Sequence, residues 1–241
     1  MEVSVVRRLA TAQKSARGVS LYSRHVNRPW GRLLAAAAVH LGLSAQTVTY
    51  LSAAVTATAA LLLTLVPPSV ALGTGVAVLL ALGFALDSAD GQVARLTGTG
   101  SLAGEWTDHV VDAGKMVLVH AAVLVGWARW DVVDGAWLLV PLAAQLVATV
   151  GFAGGTLAEL LARSAPDGDD GPTAPRPPST ARALALLPAD YGVLCWTFAL
   201  WGAGTAFRWA YATVVLLTAL VVVALLRRWF AGLRRLAGAR P

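Results

Sequence analysis

The chain reads as an all-α integral membrane protein, with six transmembrane helices preceded by an N-terminal amphipathic juxtamembrane helix. Three observations predict this. Of 241 residues, 57% are hydrophobic and 13% charged, at a mean hydropathy of +0.65, too apolar for a water-soluble domain with a polar surface. Six apolar runs are each long enough to cross ~30 Å of hydrocarbon as a helix. The arginines gather at the two chain ends and in one internal loop instead of spreading evenly.

Residues 1–32 are polar and basic, with Arg7, Arg8, Lys14, Arg17, Arg24, Arg28 and Arg32 and no apolar core. They read as a cytoplasmic amphipathic segment lying on the membrane, not as a secretory signal. A transmembrane domain of residues 33–227 follows, with spans at Gln46 to Val66, Val70 to Val93, Glu105 to Trp127, Trp137 to Leu161, Ala183 to Gly202 and Thr205 to Leu226. Between spans four and five, Pro166 to Ser179 (PDGDDGPTAPRPPS) is an extended, solvated linker. Its aspartates lack the ligand spacing and terminal glutamate of a calcium loop. Residues 228–241 form a basic cytoplasmic tail.

In a six-helix bundle, the N-terminal cations, Arg163, Arg176, Arg182 and the tail share one side, while the opposite loops hold only Arg129 and Arg208. The positive-inside rule therefore places both termini in the cytoplasm of a multi-pass cell-membrane protein. Trp127, Trp130, Trp137, Trp201 and Trp209 are then expected as an aromatic belt at the outer interface. The net charge of +6 flanks spans, so the partner it selects is anionic lipid and not nucleic acid. A single cysteine, Cys195, lies within a span, excludes an internal disulfide or thiolate zinc site, and reads as packing. Seventeen arginines against two lysines point to a GC-rich genome and a bacterial source.

Against this background the stretch LDSADGQVARLTGTGSLAGEWTDHVVDAGK, Leu86 to Lys115, places four aspartates among apolar spans. Ionised carboxylates persist in such segments where they face a wet cavity, a partner charge or a metal. Asp87 and Asp90 are spaced i,i+3 at the cytoplasmic end of span two; Gly104, Asp108 and Asp112 are spaced i,i+4,i+8 at the start of span three. Each set shares one helix face, so two acidic faces are expected to meet across a tight helical hairpin. Oxygen-only ligands select Mg²⁺ or Mn²⁺ over zinc. Two such ions can clamp the entering and leaving oxygens of a phosphoryl transfer.

The small residues Gly91, Ala94 and Gly104 leave helix surfaces bare for a flat base or a diphosphate, and Arg95 supplies a planar fork for phosphate oxygens. Helix packing through small residues is the competing reading, an even match for Ala94 taken alone. His109, beside Asp108, points off the acidic face and reads as an interfacial polar contact.

Asp87, Asp90, Gly91, Ala94, Arg95, Gly104, Asp108 and Asp112 stand as D-x2-D-G-x2-A-R-x8-G-x3-D-x3-D. This resembles the complete signature of the CDP-alcohol phosphotransferases (CDP-alcohol phosphatidyltransferases). The upstream segment YSRHVNRPWGRLLAAAAVHLGLSAQTVTYLSA is similar to that family's surface helix leading into its first span, although Ala45 and Gln46 stand where many members have proline and asparagine. The resemblance thins after about residue 125.

The resemblance implies a six-helix membrane enzyme, usually a homodimer, with its active site at the cytoplasmic face. Such an enzyme transfers a substituted phosphate from a CDP-alcohol to a second alcohol and releases CMP, in phospholipid biosynthesis. It implies Asp87, Asp90 and Asp108 as metal ligands, Asp112 as a metal-linked general base, two divalent ions, and Gly91, Ala94, Arg95 and Gly104 around the cytidine and diphosphate. CDP-diacylglycerol with a small polar alcohol or alcohol phosphate is the first expectation; a CDP-choline or CDP-ethanolamine type acting on a lipid alcohol is the alternative.

Beyond the motif, Lys115, Glu159, Arg163 and Arg182 are candidates for an acceptor pocket. Lys115 also suits charge compensation of the aspartates, Glu159 with Arg163 a helix-stabilising i,i+4 pair, and Arg182 a snorkelling cation. Asp190 enters span five from the same side. A divalent-cation transporter is the reading from a different class, but a conduction path wants polar residues through the bilayer depth, and here they cluster at one end.

Overall fold

A computed structural model describes residues 20–164 and 180–238. The linker expectation for Pro166 to Ser179 lies outside the described residues, as does that for the first 19 positions. The described residues are helical throughout, with no strand among them. A π-helical turn, Ser23–Asn27, runs into α1, Arg28–His40. α1 stops in a Schellman turn: the Gly42 N–H bonds the Val39 carbonyl, the Leu43 N–H bonds the Ala38 carbonyl, and Gly42 takes φ +68, which glycine adopts without a Cβ penalty.

Ser44 then caps α2, Ala45–Leu65, its hydroxyl accepting from the Thr47 N–H at 3.1 Å. The same device starts α3, Val70–Thr97, at Ser69 and α4, Leu102–Arg129, at Ser101. Each serine satisfies an amide that the first helical turn cannot. α3 ends at Gly98, again left-handed at φ 67. At ~1.5 Å per residue its length is about 42 Å, beyond the ~30 Å of a hydrocarbon core, which carries its acidic last turns to the membrane edge.

A 3-10 turn, Gly135–Leu138, leads into α5, Leu139–Arg163. The long α8, Thr205–Gly238, closes the chain. Five helices are thus long and apolar enough to cross a membrane: α2, α3, α4, α5 with its 3-10 lead, and α8. The chain is a multi-pass membrane protein.

The run expected as the fifth span is not one continuous helix. It is divided into α6, Thr180–Ala185, a 3-10 turn at Leu187–Ala189, α7, Tyr191–Thr197, and a 3-10 segment, Phe198–Ala203. The break has a local cause. Pro188 lacks the N–H that a continuous helix needs, and Asp190 takes an extended backbone and caps α7 through the Gly192 N–H at 2.7 Å.

α2 packs on both α3 and α4, while the backbones of α3 and α4 themselves scarcely approach one another. The expected tight hairpin is therefore splayed, with α2 behind the gap. α1 lies across α3, where Gly31 would, with a Cβ, stand 2.8 Å from the Ser88 hydroxyl. α5 pairs with α8 and also contacts α4.

At the end remote from the aspartates, Trp127, Trp201, Phe198, Phe207 and Tyr211 form an aromatic core. Trp127 and Trp201 are 1% and 2% exposed, so these two expected belt residues are core instead. Their rings pack edge-on against Phe207 at 5.9 and 5.0 Å, a preferred arrangement of ring quadrupoles. Trp137 and Trp209 make their own T-shaped pair, with Trp209 62% exposed.

Candidate metal and phosphate site

Carboxylate oxygens of Asp87, Asp90 and Asp108 lie within 4.8 Å of one another. The first two come from α3 and the third from α4, so the trio spans the splayed gap. An all-oxygen set at this separation fits a hard divalent cation, which would draw together charges that otherwise repel. These are the residues that would hold it.

α2 fixes the set from behind. The Thr49 hydroxyl donates to Asp90 Oδ2 at 2.6 Å, and the Gly91 N–H bonds the other Asp90 oxygen. Ser52 donates to the Gly83 carbonyl at 2.8 Å and accepts from Lys115 at 3.1 Å. Hydrogen bonds to a charged acceptor contribute about 1.5–3 kcal/mol, enough to hold a buried carboxylate in one rotamer. Lys115 also bridges Asp87 and Asp112, the latter at 2.7 Å. Asp112 therefore stands one turn beyond Asp108, engaged by a lysine.

The nucleotide candidates occupy the rim. Gly91 lies under the Arg95 guanidinium, which a Cβ there would meet at 3.2 Å. Gly104 sits in the first turn of α4, its N–H held by the Ser101 hydroxyl at 3.0 Å. Ala94 is half-buried on α3 between Asp90 and the exposed Gly98 turn. Burial pushes the Arg28 guanidinium below the ordinary arginine range, and the like charges of Arg95 and Arg24 push it further.

The remaining candidates are dispersed. Arg163 bonds Glu105 at 2.7 Å and also Glu159, an exposed network at the end of α5. Arg182 lies on the short α6, where burial and the charge of Arg228 lower its pKa. His109 stacks edge-on against Phe152 at 6.0 Å and approaches Glu105 at 3.9 Å. Asp190 is buried and ties down the residues just before α1, accepting from the Ser20 hydroxyl and, at 2.6 Å, from the Ser23 hydroxyl.

Thr49, Ser52 and Arg28 are additions to the residues expected of the site. Thr49, Ser52 and Thr56 form a buried polar stripe at helical spacing in an otherwise apolar span, a signal that was open to reading. Nothing local in the sequence pairs Arg28 with Arg95.

Solved structures of similar fold include two of one enzyme. Both are phosphatidylinositol phosphate synthase from Mycobacterium tuberculosis, one in complex with manganese and citrate, the other with CDP-DAG bound. The first is 21% identical over 80% of this chain and 87% of the synthase, at a TM-score of 0.52. The second is 21% identical over 83% and 93%, also at 0.52. The chain has the synthase fold. No protein-family model matches the chain, and no curated protein matches it significantly. The likeness to the synthase therefore concerns architecture, and the chemistry rests on the residues above.

Proposed function

We propose that the chain is a CDP-alcohol phosphotransferase that moves a substituted phosphate from a CDP-alcohol, CDP-diacylglycerol first, to the hydroxyl of a second alcohol and releases CMP. The observation that carries this reading is the convergence of Asp87, Asp90 and Asp108 across two helices, with Asp112 one turn deeper and Arg95 at the rim. The synthase with manganese, and the synthase with CDP-DAG bound, support the same ligands here.

Bound divalent ions, two Mg²⁺ or Mn²⁺, supply charge neutralisation as the transfer proceeds. The rest is the work of side chains. Arg95, with Arg28 beside it, holds the diphosphate, while Gly91, Ala94 and Gly104 let cytidine lie against bare helix. Thr49 and Ser52 keep Asp90 and Lys115 in place. Asp112 accepts the proton of the attacking hydroxyl as the new oxygen–phosphorus bond forms at the β-phosphorus. The bond from that phosphorus to the bridging oxygen breaks, and CMP leaves with it.

The topology that serves this chemistry has six crossings, both termini and the site cytoplasmic, in a homodimer. The sixth crossing runs through the divided segment, where the seven residues of α7 and the six of the 3-10 segment that follows together extend about 22 Å. The test is CMP release by purified protein given CDP-diacylglycerol, a panel of alcohols, and Mg²⁺ or Mn²⁺. Release is expected to vanish with EDTA and return with the ion. Full release in excess EDTA would sink the reading.

A further inference from the structure

A cavity of about 220 Å³ continues the acidic face of α4 into the bundle. Asp108, Asp112, Met116 and His120 are successive i,i+4 positions on one helix. Met116 and His120 line the cavity with Ala148 and Phe152 of α5, Leu194 of α7 and Val222 of α8. The space is larger than the apolar cavity of about 150 Å³ that takes up benzene.

Its polar wall groups are engaged with one another or with backbone. His120 Nδ1 pairs with the Tyr211 hydroxyl at 2.7 Å, Thr218 donates to the Pro188 carbonyl at 3.1 Å, and Asp190 is held by Ser23 and Gly192. Tyr191 differs. Its hydroxyl is buried without a hydrogen-bond partner, within electrostatic reach of Asp87 and Asp112. No arginine or lysine is among the described residues lining the cavity, and Lys115, Glu159, Arg163 and Arg182 lie elsewhere. A phosphate placed here would lose its hydration with no cation to replace it, whereas hydrocarbon would gain by leaving water.

In an in-line displacement the entering oxygen approaches opposite the leaving one. With CMP at the rim, against Gly91, Arg95 and Gly104, the acceptor hydroxyl comes from the inner side, where Asp112, Tyr191 and the cavity lie. We propose that the cavity receives the hydrocarbon of the acceptor, an amphiphilic alcohol whose hydroxyl sits between Tyr191 and Asp112; this rests on the phosphotransferase reading. The acceptor oxygen bonds the β-phosphorus, the bond to the bridging oxygen of CMP breaks with its electron pair on CMP, and the hydroxyl proton passes to Asp112. A lipid alcohol, the alternative read from the sequence, is the acceptor on this inference.

The test uses the full chain with Mg²⁺ or Mn²⁺, CDP-diacylglycerol or CDP-choline as donor, and dioctanoylglycerol, glycerol, glycerol phosphate or inositol as acceptor. CMP and product are expected with dioctanoylglycerol and not with the small alcohols. Ala148→Leu narrows the cavity away from the aspartates and is expected to raise the acceptor KM about tenfold while the donor KM stays within about twofold. Tyr191→Phe keeps the cavity's shape and is expected to lower kcat about tenfold with the same acceptor. Small alcohols serving in place of dioctanoylglycerol would overturn the inference and leave the phosphotransferase standing. So would a rise confined to the donor KM, which would make the chain in the cavity the donor's, or unchanged kinetics in both variants. No CMP from wild-type protein with any pairing would remove the phosphotransferase reading and this inference together.

Discussion

At the aromatic end of the bundle, a methyl group on Gly202 would stand 2.1 Å from the Ser69 carbonyl carbon, and one on Gly73 2.6 Å from the Phe198 carbonyl oxygen. At the aspartate end, a methyl on Gly91 or Gly104 would meet only Arg95 Nη1 or Ser101 Oγ, each at 3.2 Å. The same residue type brings backbones together at one end and keeps a surface bare at the other. Around Gly73 and Gly126 the space is filled by Trp201 with the Phe198 and Leu63 carbonyls, and around Gly202 by the Ser69 and Val70 backbone. Around Gly91 and Gly104, α3 and α4 splay and carboxylates face one another. Packing is tight around Gly73 and Gly202, and the helix surface is bare at Gly91 and Gly104, where the proposed chemistry lies.

The largest expected effect breaks the open end alone. Asp112→Asn should lower turnover by about 10² to 10⁴, the span for loss of a general base, with CDP-donor affinity held within a few-fold. Nucleotide binding measured beside single-turnover CMP release decides it: parallel loss of both would make Asp112 chiefly a ligand. At the closed end, Gly202→Ala should destabilise by about 1–3 kcal/mol or more, because the methyl meets backbone that has nowhere to move. A melting temperature in detergent equal to wild type would show that the packing there has slack.

The smallest effect carries the sharpest contrast. Gly104→Ala should leave stability unchanged or raise it by up to ~1 kcal/mol through helix propensity, while weakening donor binding if the methyl stands, as proposed, where cytidine lies. Destabilisation like that of Gly202→Ala would erase the distinction between the two ends.

The open end was the more legible in sequence. Asp87, Asp90, Asp108 and Asp112 are spaced by helical periods, and a charge in an apolar span is visible without a structure. The splay between α3 and α4 was not visible, because it depends on α2 packing behind both. Thr49 reaches Asp90 across 41 positions and Ser52 reaches Lys115 across 63, and no local pattern encodes such pairings. At the closed end, tryptophans near span termini suit an interfacial belt or a core equally by position. Trp201 packs inward against Gly73 and Gly126, which leave space for it, and Trp127 joins it in the same core. The division of the fifth apolar run was not legible because hydropathy averages over Pro188 and Asp190, the two residues that divide it. The cavity under Asp112 draws its walls from four helices, and its apolar character could not be assembled from any one of them.

The Asp190 clasp has a consequence for how the molecule is made. Ser20 and Asp190 are 170 positions apart, so the carboxylate that anchors the residues just before α1 is synthesised after most of the helices. Contacts of such long range form late, because the entropy of closing the intervening loop must be met before they return anything. α1 can settle on α3 early, through Gly31 against Ser88, and Tyr22 beside the preceding turn meets Phe84 of α3, but Ser20 and Ser23 wait for Asp190 to emerge. The described residues that precede α1 thus gain part of their contacts late, and the bundle is latched from its tail toward its head.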